Sequence, residues 1–421
     1  MAAFDHTLEI EGWRSVPHSY AIVNQFQCLQ ILRRPEIRLL HKDVAYFSPN
    51  WRSVGGLFDA SAESAIGAIP PAATGERPDA LLRITYPYNY SRSLAKRTCV
   101  FGTAEYGCVP RKNFVGSSSL AQVMRETDFT LVTPSHWSRQ GFLRSGADPD
   151  RVVVIPHGID PALYHPISGE QRAALRTQLG WNGFVFLTLG AMTPNKGLGQ
   201  LLKAFALVAQ RQPEARLVLK GLKALYPSLK MLEHECAALT PAEVKIVQPR
   251  LIWLEHTLSF ADMARLYQAA DAYVSPYFAE GFNLPALEAA ACGTLVICTR
   301  GGPTDDFTTP DFALRIDSEV RPVESEAEGP RIFLHPNGEH LAHLMGEAIQ
   351  RDELRSRARA AGPAFTQSRF TWKHAVDQLL EVMFPERQPD FRLHGTPSAG
   401  GFELDDLAAD SSLATKNAHF A

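Results

Sequence analysis

The chain has 421 residues, 45% of them hydrophobic and 21% charged, with a formal net charge of −3. That balance leaves no surplus of Lys and Arg for phosphate backbones, which excludes a dedicated nucleic-acid binder. The length exceeds what one ordinary core serves, so two domains are expected.

From the amino terminus, Thr7–Glu11 reads as a strand running into Gly12, and Ser19–Arg34 carries apolar residues at helical spacing. Short β-rich runs follow at Glu36–Leu40, Leu81–Thr85, Thr98–Phe101, Phe129–Val132 and Val152–Ile155. Helical patterns lie between the later ones, at Leu120–Glu126 and Trp137–Ser145, while Ser53–Pro78 reads as irregular with room for one short helix. Near Pro166 the pattern pauses and restarts. Strands are expected at Phe184–Leu189, Ala215–Lys220, Leu251–Leu254, Ala272–Val274 and Leu295–Cys298. Helices are expected at Gln171–Leu179, Leu198–Gln210, Ala261–Ala270 and Pro285–Cys292. Alternation of this kind predicts two α/β units, each a parallel sheet wrapped by helices. A last amphipathic helix, capped by Thr371, fills Phe370–Phe384, and a mobile tail is expected beyond it.

The six cysteines are scattered without a C-x-x-C pair and read as reduced thiols. No apolar run approaches the roughly 20 residues of a membrane span, and the start lacks the pattern of a signal peptide. A soluble, cytoplasmic protein is expected. Arg33, Arg34, Arg38 and Lys42 form a modest basic cluster that leaves peripheral contact with the inner face of a membrane open, beside the simpler reading of a solvated surface.

Chemistry concentrates in Phe278–Phe307. Glu280 and Glu288 flank a loop-to-helix junction, with Gly281 freeing the loop and Pro285 suited to a first helical turn. The helix is apolar, so Glu288 is a buried acid in need of a partner, a need that ribose or sugar hydroxyls would meet. The positive end of the helix suits an anion such as a diphosphate. Asp305 and Asp306 read first as caps of the following element. Two further loops leave strand ends in the same half: Gly190–Gly197, carrying Thr193 and Lys196, and Lys220–Leu225. Lys196 combines an ammonium with backbone N–H groups at a helix start, an arrangement fit for a diphosphate but without the spacing of a nucleotide-hydrolase loop. Lys220 either snorkels outward or serves a phosphate. In the first half, Gly12 and His18 follow the first strand, and Glu105 and Tyr106 follow the strand ending at Phe101. All four are candidates for the facing wall of a cleft. His157 reads as structural, at a hinge. No compact His/Asp/Glu set suggests a metal, and the G-x-G-x-x-G fingerprint is absent.

Four segments in order, strongest over Phe129–Gly302, resemble the retaining GT-B glycosyltransferases of the group-1 family (glycosyltransferase family 4). EGFNLPALEAAACG resembles that family's E-x7-E signature, with Glu280 and Glu288 as its glutamates. The stretch from Val132 to Pro166 resembles its end-of-domain segment, GAMTPNKG its phosphate loop, and FTWKHAVDQLLEVM its final helix.

The resemblance implies a GT-B fold of two Rossmann-like, doubly wound domains facing across a cleft. It divides the chain into an acceptor domain over 1–165, a donor domain over 166–368, a helix crossing back over 369–385, and a tail over 386–421. It implies a nucleotide-diphosphate sugar as donor substrate, no separate cofactor and no metal. In it Glu288 holds the ribose, Glu280 the transferred sugar, the Phe282–Leu284 backbone (with Asn283) the phosphates and sugar, and Lys196 the departing diphosphate. Acceptor and oligomeric state stay undefined. One departure stands out: the family usually places Arg after the glycine that opens the phosphate loop, and this chain has Ala191. Lys220 or Arg300 would have to supply the missing charge. Alternative readings are a phosphorylase or sugar-nucleotide epimerase of the same fold, or a catalytically silent sugar-nucleotide-binding protein.

Overall fold

The computed structural model describes residues 4–116, 118–324 and 329–387. Most of the tail expected over 386–421 therefore lies outside the described residues. The first half contributes strands β1 (His6–Gly12), β2 (Ile37–Asp43), β3 (Ala80–Ile84), β4 (Arg97–Phe101), β5 (Thr130–Thr133) and β6 (Val152–Val154). Its helices are α1 (Ser19–Ile31), α2 (Ala60–Gly67), α3 (Leu120–Glu126) and α4 (His136–Arg144). The strands pair in parallel in the order β2-β1-β3-β4-β5-β6, so the chain reverses direction between β1 and β3.

The second half contributes β7 (Phe184–Leu189), β8 (Ala215–Lys220), β9 (Leu251–Leu254), β10 (Ala272–Ser275), β11 (Leu295–Thr299) and β12 (Ala313–Ile316). Around them lie α5 (Gly169–Leu179), α6 (Leu198–Arg211), α7 (Ser228–Ala237), α8 (Pro241–Val247), α9 (Phe260–Ala269) and α10 (Leu284–Ala291). This sheet is also parallel, in the order β12-β11-β10-β7-β8-β9, with its reversal between β7 and β10. Its central strands are buried on both faces, which is why they read as unbroken apolar runs. An antiparallel hairpin, β13 (Ser318–Val323) with β14 (Arg331–Pro336), follows the sheet. The helices α11 (Gly338–Gln350), α12 (Asp352–Arg369) and α13 (Trp372–Met383) complete the fold.

Helix α12 escapes sequence patterning because it packs through small residues rather than a large apolar stripe. Its buried positions include Ala358, Gly362 and Thr366, and a Cβ on Gly362 would stand 2.5 Å from the Ala290 carbonyl oxygen of α10. The hairpin, β12, α7, α8 and α11 likewise go beyond the elements expected from sequence.

The chain crosses between the halves twice at one place. Ile155 packs into the first core, whereas Ile159 and Tyr164 pack into the second, so the outward crossing occurs ahead of residue 165. The returning chain runs beside it: Ile159 donates to the Phe370 carbonyl (2.8 Å) and Trp372 donates to that of Ile159 (3.2 Å). Helix α13 then buries Trp372, Val376, Leu379 and Met383 in the first core, where Trp372 stacks on Phe26 of α1 at 5.3 Å. The basic cluster beside α1 is largely neutralised within the fold, since Arg34 pairs with Asp377, Arg38 with Glu76, and Lys42 with Glu11. No described helix is long and apolar enough to cross a membrane.

Gly158 lets the two crossings touch: a Cβ there would lie 2.1 Å from the Thr371 carbonyl carbon. Gly158→Ala should therefore cost roughly 3 kcal/mol or more, lowering the melting temperature by several degrees. Gly169→Ala, at a helix start with open space around the new methyl, should leave the melting temperature unchanged or higher in the same thermal scan.

Candidate active site

The carboxyl ends of both sheets face a cleft of about 1250 Å³, the place where open α/β sheets bind ligands. On the second-half side, the loop after β7 folds into a single 3-10 turn, Pro194–Lys196, and passes through Gly197 in the left-handed region into α6. Only glycine fits there, because a Cβ on Gly197 would meet the Pro276 carbonyl oxygen at 1.9 Å. Thr193 donates to Asn195 (2.7 Å), and Asn195 in turn donates to the Ala279 carbonyl (2.9 Å), so the phosphate-type loop is bolted onto the segment carrying Glu280.

This contact brings together two residues the sequence left separate. Lys196 Nζ lies 2.5 Å from Glu280 Oε1, with the lysine side chain 25% exposed and the glutamate 11%. Burial by itself would lower the lysine pKa, but the carboxylates of Glu280 and Glu105 overcome it and hold the ammonium above its ordinary range. Glu105, from the facing half, is itself raised, chiefly by burial and against the pull of Lys196. Lys196 is thus ion-paired with Glu280 and also feels the charge of an acid from the facing half.

Asn283 takes a left-handed conformation (φ 73°) that turns the loop into α10, and its amide donates to Ser275 (2.9 Å). No side chain caps the first turn of α10, whose start lines the cleft at Leu284 and Pro285. Phe282 lends its ring to packing instead, between His157 and Phe307, each at 4.9 Å. Gly281 marks a close approach of the halves. Its carbonyl accepts from Ser135 (2.7 Å) and Ser138 (3.2 Å), and a Cβ would press on Thr103 at 2.8 Å.

Glu288 finds its partner inside the protein: Tyr267 donates to it at 2.6 Å, and Tyr164 lies beside it without a hydrogen bond of good geometry. Both tyrosines line the same end of the cleft. Burial raises the Glu288 pKa to about 7, against the pull of the tyrosine hydroxyls.

Lys220 ends β8 opposite Leu189, and the Gly190 N–H donates to its carbonyl (3.0 Å), so it stands beside the loop position of Ala191. It is only 4% exposed yet lines the cleft, with its ammonium bonded to the Gly221 carbonyl at 2.5 Å. Burial lowers its pKa to about 8. Arg300 does not reach the cleft: it is exposed and pairs with Asp317 at 3.0 Å, so of the two candidates only Lys220 lines the cleft. Asp305 and Asp306 act as caps, but of other segments, accepting from the backbone of Gly301 and from that of His136 at the start of α4.

On the facing side, Gly12 stays out of the cleft. It is a packing glycine whose Cβ would stand 2.7 Å from Ile84 and 2.8 Å from Asn24. His18 caps α1, with Nδ1 accepting from the Tyr20 N–H (3.2 Å), and burial lowers its pKa to about 4, so it is neutral at physiological pH. Tyr106 is covered by the hairpin: Ile332 donates to its carbonyl (2.7 Å), Phe333 packs on its ring, and the Arg331 guanidinium lies 5.0 Å above it. His157 is buried among Phe101, Phe282 and Trp372 at the crossing. Among the described residues, no group of three or more His, Cys, Asp or Glu is placed to hold a metal ion.

Two facing, doubly wound parallel sheets with a cleft at their strand ends and a last helix returning to the first core make the GT-B fold. Solved structures agree: Anabaena HepE in complex with UDP-glucose superimposes with a TM-score of 0.66 at 16% identity, over 90% of this chain and 99% of that one. A sucrose-phosphate synthase from Thermosynechococcus elongatus gives 0.62 at 14% identity, over 90% and 98%. Residues 183–311, which hold Lys196, Lys220, Glu280 and Glu288, match the family described as Glycosyl transferases group 1. Mannosylfructose-phosphate synthase of Agrobacterium fabrum is 28% identical over 245 residues, 56% of this chain and 48% of the relative. D-inositol 3-phosphate glycosyltransferase of Thermomonospora curvata is 31% identical over 282 residues, 62% and 58%. The chain thus spans about half the length of these curated relatives.

The elevated Glu288 pKa has a measurable consequence. The folded value of about 7 lies above the ordinary carboxylate value of 4.5, so the destabilisation is absent below about pH 4.5, accumulates as pH rises from there to about 7, and is constant above. Glu288→Gln should melt above the parent at pH 8, with the gap narrowing below pH 7 and closing toward pH 4, in thermal scans across that range.

Proposed function

We infer that the protein transfers a glycosyl group from a nucleotide-diphosphate sugar, held by the second half, to an acceptor held by the first, with retention of configuration and without a metal. The observation that carries this reading is the convergence of Lys196, Lys220, Glu280 and Glu288 on one cleft from three neighbouring strand ends. Two ammonium groups meet a diphosphate, and two carboxylates meet hydroxyls. HepE, of the same fold, is solved with UDP and UDP-glucose, which supports this donor class.

The donor diphosphate sits at the start of α10 and at the phosphate-type loop, where helix N-termini and backbone N–H groups favour anions. Its arrival draws Lys196 away from Glu280. The released carboxylate then accepts from the sugar hydroxyls, while Glu288, with Tyr267, accepts from the ribose. Lys220 replaces the loop arginine that Ala191 lacks. The acceptor oxygen attacks the anomeric carbon from the side of the leaving group, and the anomeric C–O bond breaks with its electron pair passing to the diphosphate. The acceptor proton passes to the departing phosphate oxygen. Lys196 and Lys220 offset the charge that grows there, which is where preorganised electrostatics contribute most. The loop packing at Gly197 keeps Lys196 fixed while that charge develops.

Lys196→Ala and Glu280→Ala should each lower transfer about 10²-fold or more while the circular dichroism spectrum stays that of the parent. Lys220 gives a pH signature. Its protonated fraction falls as pH rises through about 8, so affinity for UDP or GDP should weaken above that pH in calorimetric titration. Lys220→Met should bind more weakly at pH 7 and lose that dependence; a parent affinity unchanged from pH 7 to 9 would remove Lys220 from the anion site.

A further inference from the structure

The first-half side of the cleft has a composition that the donor chemistry does not use. After β2, Phe47 and Trp51 project to the cleft; after β3, Tyr86 and Tyr88 do so. Phe47 is 54% exposed and lies 5.0 Å from Tyr86 and 6.2 Å from Trp51. Trp51 is held in place by its indole N–H on the Leu225 carbonyl (3.2 Å) and by edge contact with Trp13 at 5.6 Å. From the second half, Tyr226 closes on Trp51 at 6.1 Å, so the wall reaches across the cleft toward the loop after β8. Polar atoms edge the rings: the Tyr86 hydroxyl donates to Asn113 Oδ1 at 3.0 Å, and Ser48 lines the same space.

Aromatic faces edged by neutral hydrogen-bonding groups match a pyranose ring, which has an apolar face of C–H groups and a rim of hydroxyls. They do not match a phosphate, which calls for clustered cations or guanidinium forks. Of the titratable side chains that line this side, Glu105 is acidic, Lys112 is an exposed rim residue and His18 is neutral, while Arg331 of the hairpin lies over the Tyr106 ring.

Resting on the glycosyl-transfer reading, we propose that the acceptor is an uncharged saccharide whose ring stacks on the Phe47–Trp51–Tyr86 wall. The sugar face lies on Phe47 and Tyr86, Trp51 backs them, and Asn113 and Ser48 take rim hydroxyls. The next saccharide unit extends out past the exposed edge of Phe47 toward solvent. The attacking hydroxyl points inward, to the space between Glu105 and Glu280.

Saturation-transfer NMR on the full chain with UDP present tests this without a turnover assay. One set of probes comprises the neutral disaccharides maltose, cellobiose, mannobiose and chitobiose; the other comprises fructose 6-phosphate and inositol 3-phosphate. Ring-proton saturation should appear for at least one neutral disaccharide, and Phe47→Ala should weaken it roughly threefold to tenfold. The melting shift produced by UDP should be the same in Phe47→Ala as in the parent. Signal from the phosphorylated probes alone, lost in Lys112→Ala, overturns the proposal and leaves glycosyl transfer standing. Silence from every neutral disaccharide overturns it as well. A protein that binds neutral saccharide at Phe47 yet neither binds nor turns over a nucleotide sugar keeps the saccharide wall and defeats the transfer reading.

Discussion

The second-half wall of the cleft is organised around the ion pair between Lys196 and Glu280. The two residues belong to different strand–helix turns, and the pair exists because Gly197 lets one turn lie directly on the backbone of the other. An ammonium at a helix start is unfavourable unless an anion offsets the helix dipole. In the unliganded site the carboxylates of Glu280 and Glu105 provide that offset. A diphosphate would provide it during the reaction, so the same lysine is stabilised in both states by different partners.

The second constraint is the closeness of the two halves. The Gly281 carbonyl is held by two serines of the first half, and Asp306 caps the first-half helix α4 across the same boundary. The only chain crossings between the cores run side by side at Gly158 and Thr371, among the described residues. These contacts bring Glu105 within electrostatic reach of Lys196 and Tyr226 to Trp51, so the two walls share one space. Loosening any of them would separate charges that act together.

Much of this was legible from sequence, for physical reasons. Parallel strands covered by helices are rich in apolar residues, so Phe184–Leu189, Ala215–Lys220 and the half-buried edge strand Leu251–Leu254 emerge with their observed ends. Glu288 was visible because a carboxylate among alanines has no packing rationale, and Glu280 because it flanks the same loop-to-helix junction. What stayed hidden depends on three-dimensional neighbours. Gly12 and Arg300 looked equivalent to other strand-end residues, and only packing shows one wedged against Ile84 and the other paired outside the cleft. Tyr267 answers the need of Glu288 for a partner from 21 residues away in sequence, and Tyr164 comes beside it from 124 residues away, distances at which no local pattern operates. The aromatic wall had a signal that went unread: the tyrosine-dense run Tyr86-Pro87-Tyr88-Asn89-Tyr90 at a strand end. The hairpin β13–β14 is mostly exposed and half-polar, so periodicity gave it no prominence.

The central claim is that the Lys196–Glu280 cleft breaks the bond between an anomeric carbon and a diphosphate and keeps the configuration. Carbon-13 NMR of the purified protein with anomerically labelled UDP- and GDP-sugars, together with neutral saccharide acceptors, reads that bond directly. The account predicts release of the nucleoside diphosphate and a product signal with the same anomeric configuration as the donor. A product of opposite configuration would contradict the retaining reaction, and intact donor in the presence of demonstrated nucleotide-sugar binding would contradict transfer itself.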